Sequence, residues 1–172
     1  MQPLAHMANF KRHQMVKRKR MNEDDCPVAR TLDAIGERWA LLIVRDAFDG
    51  TRRFSDFQRS LGVARNILAD RLRVLVDAGV MAIQPASDGS VYQEYVLTAA
   101  GVDLFPVVVA LRQWGERHLF VKGEAHSRLL HKRSGKPLAA MLPRDAQGRA
   151  VGPLDARVEK VAAQVHTDAG DQ

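Results

Sequence analysis

The feature that most constrains the fold is a pair of helical segments separated by a short turn with a central glycine. In the first segment Phe54, Phe57 and Leu61 recur at helical spacing. The second segment carries one apolar stripe that ends at a glycine: Ala64, Leu68, Leu72, Leu75 and Gly79. The turn between them is Leu61-Gly62-Val63. This pattern predicts a helix-turn-helix.

The hydrophobic period changes directly after this pair. Beyond Gly79 it moves from 3.6 towards 2, and residues 80–84 and 91–97 are candidate strands on either side of Ser87-Asp88-Gly89-Ser90. We therefore predict a β-hairpin. Helix, glycine turn, helix and hairpin in this order indicate a winged helix-turn-helix.

Helices are also predicted on both sides of this unit. A first helix begins near Pro27, Gly36 interrupts it, and a second helical run that includes Trp39 ends at Asp49-Gly50.

After the hairpin, Thr98 can cap a long helix, which Pro106 would bend because an interior proline removes a backbone hydrogen bond. The apolar stripe of this helix contains Leu104, Val107, Val108, Leu111 and Trp114.

Composition divides the chain into three regions. Residues 1–25 are a basic arm that we expect to be disordered, residues 26–120 are the winged helix-turn-helix domain, and residues 121–172 are an appendage of unassigned function. Turn signals between short apolar runs favour a small β-rich appendage, followed by a weak helix through Leu154, Val158 and Val161. The expected fold class is thus mainly α with a small hairpin wing.

The charge distribution limits what the overall basicity means. A net charge of +6 suggests an acidic partner such as nucleic acid. However, residues 26–120 carry eleven Lys and Arg against eleven Asp and Glu, so the excess lies in the two ends. The arm is open to two interpretations: a solvated tail or an extension ahead of the true start, or a segment that contacts phosphates without sequence preference.

The outward face of the second helix of the pair offers groups that suit base edges. Asn can pair with adenine and Arg with guanine, so Asn66, Ala69 and Arg73 are the candidates for reading bases. Arg65, in the first turn, and Arg52 and Arg53, before the first helix of the pair, would meet phosphates. The alternative is that these are ordinary solvated positions.

Two neighbouring features suit DNA less well. We expect Arg71, near the core flank, to pair with an adjacent acid. Residues 80–97 contain Asp88 and Glu94 but no Lys or Arg, so the wing lacks cations for phosphates. It could touch DNA through backbone amides or the hydroxyls of Ser87 and Ser90, or only complete the core.

Five motifs in unbroken order give the chain a family resemblance. They are Cys26-Pro27-Val28 with Trp39-Ala40-Leu41-Leu42-Ile43, then Arg53-Phe54-Ser55-Asp56-Phe57, the run from Leu61 to Leu72, Tyr95-Val96-Leu97-Thr98, and Leu111-Arg112-Gln113-Trp114-Gly115. Over residues 26–120 the chain resembles HxlR-type regulators, a MarR-like group. The resemblance implies a winged-helix homodimer that binds double-stranded DNA near promoters as a repressor or an activator.

The resemblance also implies which helices form the dimer. The first helix and the long helix from Thr98 would build it, with Leu104, Val108, Leu111 and Trp114 at the interface. These residues could instead finish the monomer core. The wing departs from the family, because its members usually carry basic residues near the tip.

Cys26 is the one cysteine of the chain and cannot form an internal disulfide. Some members of the family use a cysteine at the matching position to sense oxidants or electrophiles. Asp24 and Asp25 would oppose thiolate formation, whereas a helix N-terminus would favour it. The alternative is a small side chain, partly buried at the dimer interface.

Several classes of function do not fit the sequence. The six histidines form no metal-ligand spacing, and there is no phosphate-binding glycine motif and no nucleophile elbow, so we expect neither an enzyme nor a metal or cofactor. No apolar run suits a membrane span or a secretory signal, which predicts a cytoplasmic protein, and the resemblance implies a bacterial one. A small molecule or an oxidant could act as effector. The main rival function is a winged-helix module for protein contacts, without sequence-specific DNA binding.

Overall fold

The computed structural model describes Met21 and residues 24–160. The predicted basic arm, except for Met21, Asp24 and Asp25, lies outside the described residues, as does Val161. The elements in chain order are α1 (Pro27–Ile35), α2 (Arg38–Phe48), α3 (Phe54–Leu61), α4 (Arg65–Asp77), β1 (Met81–Pro85), β2 (Gln93–Leu97), α5 (Ala99–Val102) and α6 (Phe105–His118). None of the helices in this part of the chain is long and apolar enough to cross a membrane.

The core forms around α2, which packs against α1, α3, α4 and α6. Ile43 and Val44 of α2 are fully buried against Phe57 of α3 and Leu68 and Leu72 of α4. Burying a side chain of this size stabilises the folded state by about 1.5 to 3 kcal/mol, so this cluster holds the two helices of the predicted pair in place. The apolar stripe of α4 is therefore confirmed as its inward face.

The interruption between the first two helices is confirmed at Gly36. Its N–H donates to the carbonyl of Leu32 at 2.9 Å and ends α1. A Cβ at this position would lie 2.4 Å from the same carbonyl oxygen, closer than real Cβ atoms come. A glycine is therefore required where the chain turns from α1 into α2.

The hairpin is confirmed, with β1 shifted by one residue and β2 two residues shorter than predicted. β1 and β2 are antiparallel, and Met81 pairs with Leu97 while Ile83 pairs with Tyr95. Gly89, in the turn, has φ +75°, which favours glycine. Met81 is fully buried, so the hairpin is anchored in the core at its base.

The single long helix predicted after Thr98 is wrong, because the structure has two helices there. The Thr98 hydroxyl does cap, accepting from the N–H of Gly101 at 3.2 Å. α5 then ends at Val102, and Pro106 lies in the first turn of α6. The N–H groups in the first turn of a helix have no acceptor within that helix, so the missing N–H of a proline costs no hydrogen bond there. Pro106 therefore lies at the start of a new helix and does not bend a continuous one.

The appendage is only partly as predicted. Between residues 121 and 160 it contains turns and two isolated β-bridges, Leu130 with Pro137 and Arg144 with Ala150, but no strand. The weak helix expected from Leu154 does not form over residues 154–160. Its apolar positions are too sparse, since Leu154 and Val158 are almost fully exposed and have no surface to pack on.

Candidate nucleic-acid interface

The turn between α3 and α4 fixes how the second helix of the pair is presented. Gly62 ends α3 with φ +59° and donates its N–H to the carbonyl of Gln58 at 3.0 Å. Val63 is buried directly after it, and α4 begins at Arg65. The glycine thus reverses the chain while the valine anchors the turn, which leaves the start of α4 exposed.

The exposed start of α4 carries the best candidates for contacting bases. Arg65, Asn66 and Ala69 are all exposed. The Arg65 guanidinium lies over the ring of Phe54, 5.2 Å from its centroid, in a cation–π contact that orients it. Neither Arg65 nor Asn66 has an ion-pair or side-chain hydrogen-bond partner within residues 24–160. Both side chains are therefore available to a ligand.

Arg73 is placed differently, although it lies on the same face. Its guanidinium is 2.8 Å from Asp70 and 3.2 Å from Asp77, one turn away on each side. The hydrogen bond with Asp70, together with the charges of Asp70 and Asp77, raises the pKa of Arg73 above its ordinary value. To reach a guanine, Arg73 would have to leave these partners. Arg71 also pairs with Asp70, at 3.0 Å, as expected.

Arg52 connects the start of α3 to the wing. Its guanidinium is 3.6 Å from the buried carboxylate of Glu94 in β2, and its carbonyl accepts from the N–H of Tyr95 at 2.8 Å. Ser87 donates to the other oxygen of Glu94 at 3.2 Å. The buried acid of the wing therefore serves to hold the hairpin against the helix-turn-helix.

Arg53 makes a second connection, at the tip of the wing. It forms an ion pair with Asp88, lies 3.4 Å from the hydroxyl of Ser90 and stacks 5.6 Å from the ring centroid of Tyr92. Hydrogen bonds from Ser90, with the charge of Arg53, lower the pKa of Asp88. We refer to Arg52, Arg53, Asp88 and Glu94 as the wing clamp. Sequence analysis missed it, although two arginines and two acids in otherwise separate segments were a signal of pairing.

The four predicted dimer residues divide into two groups. Leu104 and Val108 are half-buried and pack against the core of the same chain. Leu111 and Trp114 remain 50% and 52% exposed. Leu111 and Trp114 point away from the core, so the core of the same chain does not bury them.

Cys26 is exposed and occupies the N-cap of α1. Its backbone N–H donates to the carboxylate of Asp24 at 2.8 Å. Val28 and Leu32 of the same helix are also exposed. Among residues 24–160, the thiol thus borders an apolar helix face that the other described residues leave exposed.

The appendage docks on α6, which sequence analysis did not predict. The amide of Gln113 donates to the carbonyl of Ala139 at 2.9 Å and accepts from the N–H of Met141 at 2.7 Å, as a neighbouring strand would. Arg112 donates to the carbonyl of Ser127 at 2.8 Å. Arg112 and Gln113 belong to the motif Leu111-Arg112-Gln113-Trp114-Gly115, and two neighbouring polar residues on a helix indicate a polar contact. They do not indicate which segment of the chain makes that contact.

Comparison with known proteins agrees with this geometry. A profile of the HxlR-like helix-turn-helix family matches residues 34–122, half of the chain. The HTH-type transcriptional regulator Rv3095 of Mycobacterium tuberculosis is 49% identical over 92 residues, and this match spans 58% of its length. YtfH of Escherichia coli, a regulator of the same type, is 31% identical over 66% of this chain and 90% of its own.

Solved structures give the same result. The transcription factor PA1607 superimposes with a TM-score of 0.78 at 50% identity, covering 82% of this chain and 99% of its own. The oxidised redox regulator HypR matches with a TM-score of 0.50 at 33% identity, covering 56% of this chain and all of its own. These relatives are transcription regulators and not enzymes. The chain therefore belongs to the HxlR-like helix-turn-helix family and is a transcriptional regulator of the HTH type.

Proposed function

We propose that this regulator binds a specific promoter sequence with α4 in the major groove. The observation that carries the proposal is the free, outward pair Arg65 and Asn66 at the start of α4. A recognition helix contacts bases with its N-terminal residues, and Asn66 has the donor and acceptor that adenine requires. Arg65, near the helix N-terminus, suits a phosphate or a guanine. Arg73 ranks third, because it must first leave two carboxylates.

The wing clamp changes the role that we assign to Arg52 and Arg53. In the free protein both guanidiniums are directed to acids of the wing, so they are weaker candidates for phosphate contact than their charge suggests. Their proposed role is to fix the angle between the hairpin and α3. The wing would then contact DNA by its backbone, since its hydroxyls at Ser87 and Ser90 already have partners.

We further propose a homodimer formed by α1 and α6. Val28 and Leu32 on α1, and Leu111 and Trp114 on α6, are each about half exposed or more. Apolar side chains exposed in such number are typical of an interface. A twofold dimer would place its two α4 helices at the two half-sites of a pseudo-palindromic promoter sequence, about 10 base pairs apart or a multiple of that. The proposed location of the protein is the cytoplasm.

The dimer is tested by breaking the apolar face. Trp114→Glu should convert the dimer to a monomer in sedimentation equilibrium, because it places a charge where two apolar surfaces meet. The matched control is Arg117→Glu, an exposed position on the same helix outside the apolar stripe. If Trp114→Glu remains dimeric, this face is not the interface.

Sequence-specific binding is tested by fluorescence anisotropy on the DNA upstream of the gene and on a scrambled duplex. Asn66→Ala should reduce the preference for the native duplex about tenfold, within the 1 to 3 kcal/mol that a bidentate base contact contributes. Gln147→Ala removes an exposed amide in the appendage and should leave the preference unchanged. Arg73→Ala should have a smaller effect than Asn66→Ala.

A module for protein contacts is the second candidate, favoured by the internal pairing of Arg52, Arg53 and Arg73. Under that function the wild-type chain would bind the native and scrambled duplexes equally. Removal of residues 1–20 would then abolish whatever binding remains, since the basic arm would be its source.

Thiol sensing through Cys26 is a regulatory mode that we add to the DNA-binding function. It is supported by the exposure of Cys26 beside the proposed dimer face and by similarity to a redox regulator. Treatment with an oxidant should change the DNA affinity of the wild-type protein and not that of Cys26→Ser. An equal response of both proteins would exclude the thiol as the sensor.

A further inference from the structure

A cavity of about 470 Å³ lies where α2 ends, α6 begins and the appendage crosses them. We call it the α2–α6 cavity. Its walls are mainly apolar: Phe48 of α2, Phe105 and Val108 of α6, and Leu130 and Leu138 of the appendage. The Phe48 and Phe105 rings pack edge to face, 5.2 Å apart. Cavities of roughly 300 to 1,000 Å³ with apolar walls are typical of small-molecule sites.

The described residues do not seal the walls of the α2–α6 cavity. Phe105 and Leu130 are each 38% exposed, although both are large apolar side chains. Because α2, α6 and the appendage all contribute to the walls, one aromatic or alkyl group in the cavity would contact all three. An occupant with an apolar part would therefore bury the exposed portions of Phe105 and Leu130.

The charge around the cavity is predominantly positive. Arg45, Arg112, Lys132 and Arg133 line it, against one acid, Asp49. Arg45 is held by Asp46, and Arg112 is held by Ser127 and Glu116.

Lys132 and Arg133 differ from the other two cations. Neither has an ion pair or a side-chain hydrogen bond with any residue from 24 to 160. Two free cations two and three residues after the apolar Leu130 favour a ligand with one anionic group beside an apolar body.

We propose that the α2–α6 cavity binds a small apolar carboxylate, with the ring or chain against Phe48, Phe105 and Leu130 and the carboxylate at Lys132 and Arg133. A carboxylate fits because it accepts hydrogen bonds from both cations, whereas a neutral ligand of the same shape would leave them unpaired. A site for this class of ligand is a property beyond the proposed DNA-binding function. It can be tested separately, because ligand binding is measured in the absence of DNA.

The experiment titrates 2-naphthoate, followed by its neutral analogue 2-naphthylmethanol, into the full-length chain by isothermal calorimetry. Naphthoate should bind at least about tenfold more tightly than the alcohol, a difference of about 1.4 kcal/mol. The two probes share the same apolar body, so the difference reports the charge alone. Equal affinities, or no binding of naphthoate up to about 1 mM, would overturn the proposal.

Two variants locate the site. Lys132→Gln combined with Arg133→Gln should remove the preference for naphthoate over the alcohol. Lys122→Gln combined with Arg157→Gln removes the same charge outside the cavity and should leave both affinities unchanged. If both double variants lose the preference equally, the effect is one of overall charge and the site is disproved.

A third variant tests the apolar wall. Leu130→Glu should weaken both probes at least about tenfold, because it replaces part of the apolar wall with a carboxylate, which would also compete with naphthoate for Lys132 and Arg133. Circular dichroism of each variant serves as the folding control. A folded Leu130→Glu protein that binds naphthoate as the wild type does would place the ligand elsewhere and overturn the proposal.

Discussion

The winged-helix region and the appendage are held in place by different forces. Residues 27–118 surround a core in which eight large side chains are almost completely buried. Between residues 121 and 160 no residue is buried, and only Leu129, Leu138, Asp145, Val151 and Gly152 are half-buried. Hydrophobic burial therefore specifies the first region, whereas turns and hydrogen bonds to α6 specify the second.

This difference shows how one helix can serve two kinds of packing. Leu104, at the N-cap of α6, and Val108 complete the hydrophobic core, and Arg112 and Gln113 bind the appendage through its backbone. An intramolecular hydrogen bond contributes about 1 kcal/mol net, less than a buried Leu or Phe. We therefore expect the appendage to detach while the winged-helix region stays folded.

The largest effect is expected where the base of the wing meets α5. A Cβ on Gly101 would lie 2.1 Å from the carbonyl oxygen of Val80, which the N–H of Thr98 holds at 3.1 Å. Gly101→Ala should lower the free energy of unfolding by about 3 kcal/mol, because the clash is with fixed backbone. Ala100→Ser, on the exposed side of the same helix, is the control. Urea denaturation measures both, and near-equal midpoints would show that the wing base can shift.

An intermediate, local effect is expected at Gln113. Gln113→Ala removes both hydrogen bonds to residues 139 and 141, about 2 kcal/mol of local stability. Hydrogen exchange should accelerate over residues 125–141 and remain unchanged over α2 and α4. Global unfolding in urea should change by less than about 0.5 kcal/mol, as for a surface substitution. A matching loss of global stability would mean that the two regions form one cooperative unit.

The smallest effect is expected at Asp88, in the wing clamp. Ser90 and Arg53 lower the pKa of Asp88, so its contribution to stability is complete above the ordinary carboxylate range and is lost as the pH falls through the lowered pKa. Asp88→Asn should therefore reduce the melting temperature at pH 7, and the difference from the wild type should shrink as the pH falls below the usual Asp pKa of about 3.9. A pH-independent difference would assign the effect to shape and not to charge.

The periodicity of the sequence was sufficient to predict the local elements. The stripe through Leu68, Leu72 and Leu75 and the glycine at 62 specify the helix pair, because burial every third or fourth residue and a positive φ are local requirements. The change of period after Gly79 specified the hairpin for the same reason. Boundaries were less accurate, and the second helix break near Pro106 was missed, because a proline can bend a helix or begin one.

The candidate site was only partly predictable. The exposure of Arg65, Asn66, Ala69 and Arg73 followed from helix geometry alone. Helix geometry did not predict which of these side chains lack an ion pair, because Asp70 and Asp77 could have paired with residues other than Arg73. The assignment of these residues, and of Arg52 and Arg53, to DNA contact stays a prediction.

The sequence by itself determined the order of elements from α1 to β2, the inward face of α4 and the family to which the chain belongs, because these depend on spacing along the chain. Only the tertiary structure decided which charges meet. Arg53 and Asp88 are 35 residues apart and Gln113 and Ala139 are 26 apart. Pairings over such separations depend on how the core orients the elements, and no local pattern encodes that orientation.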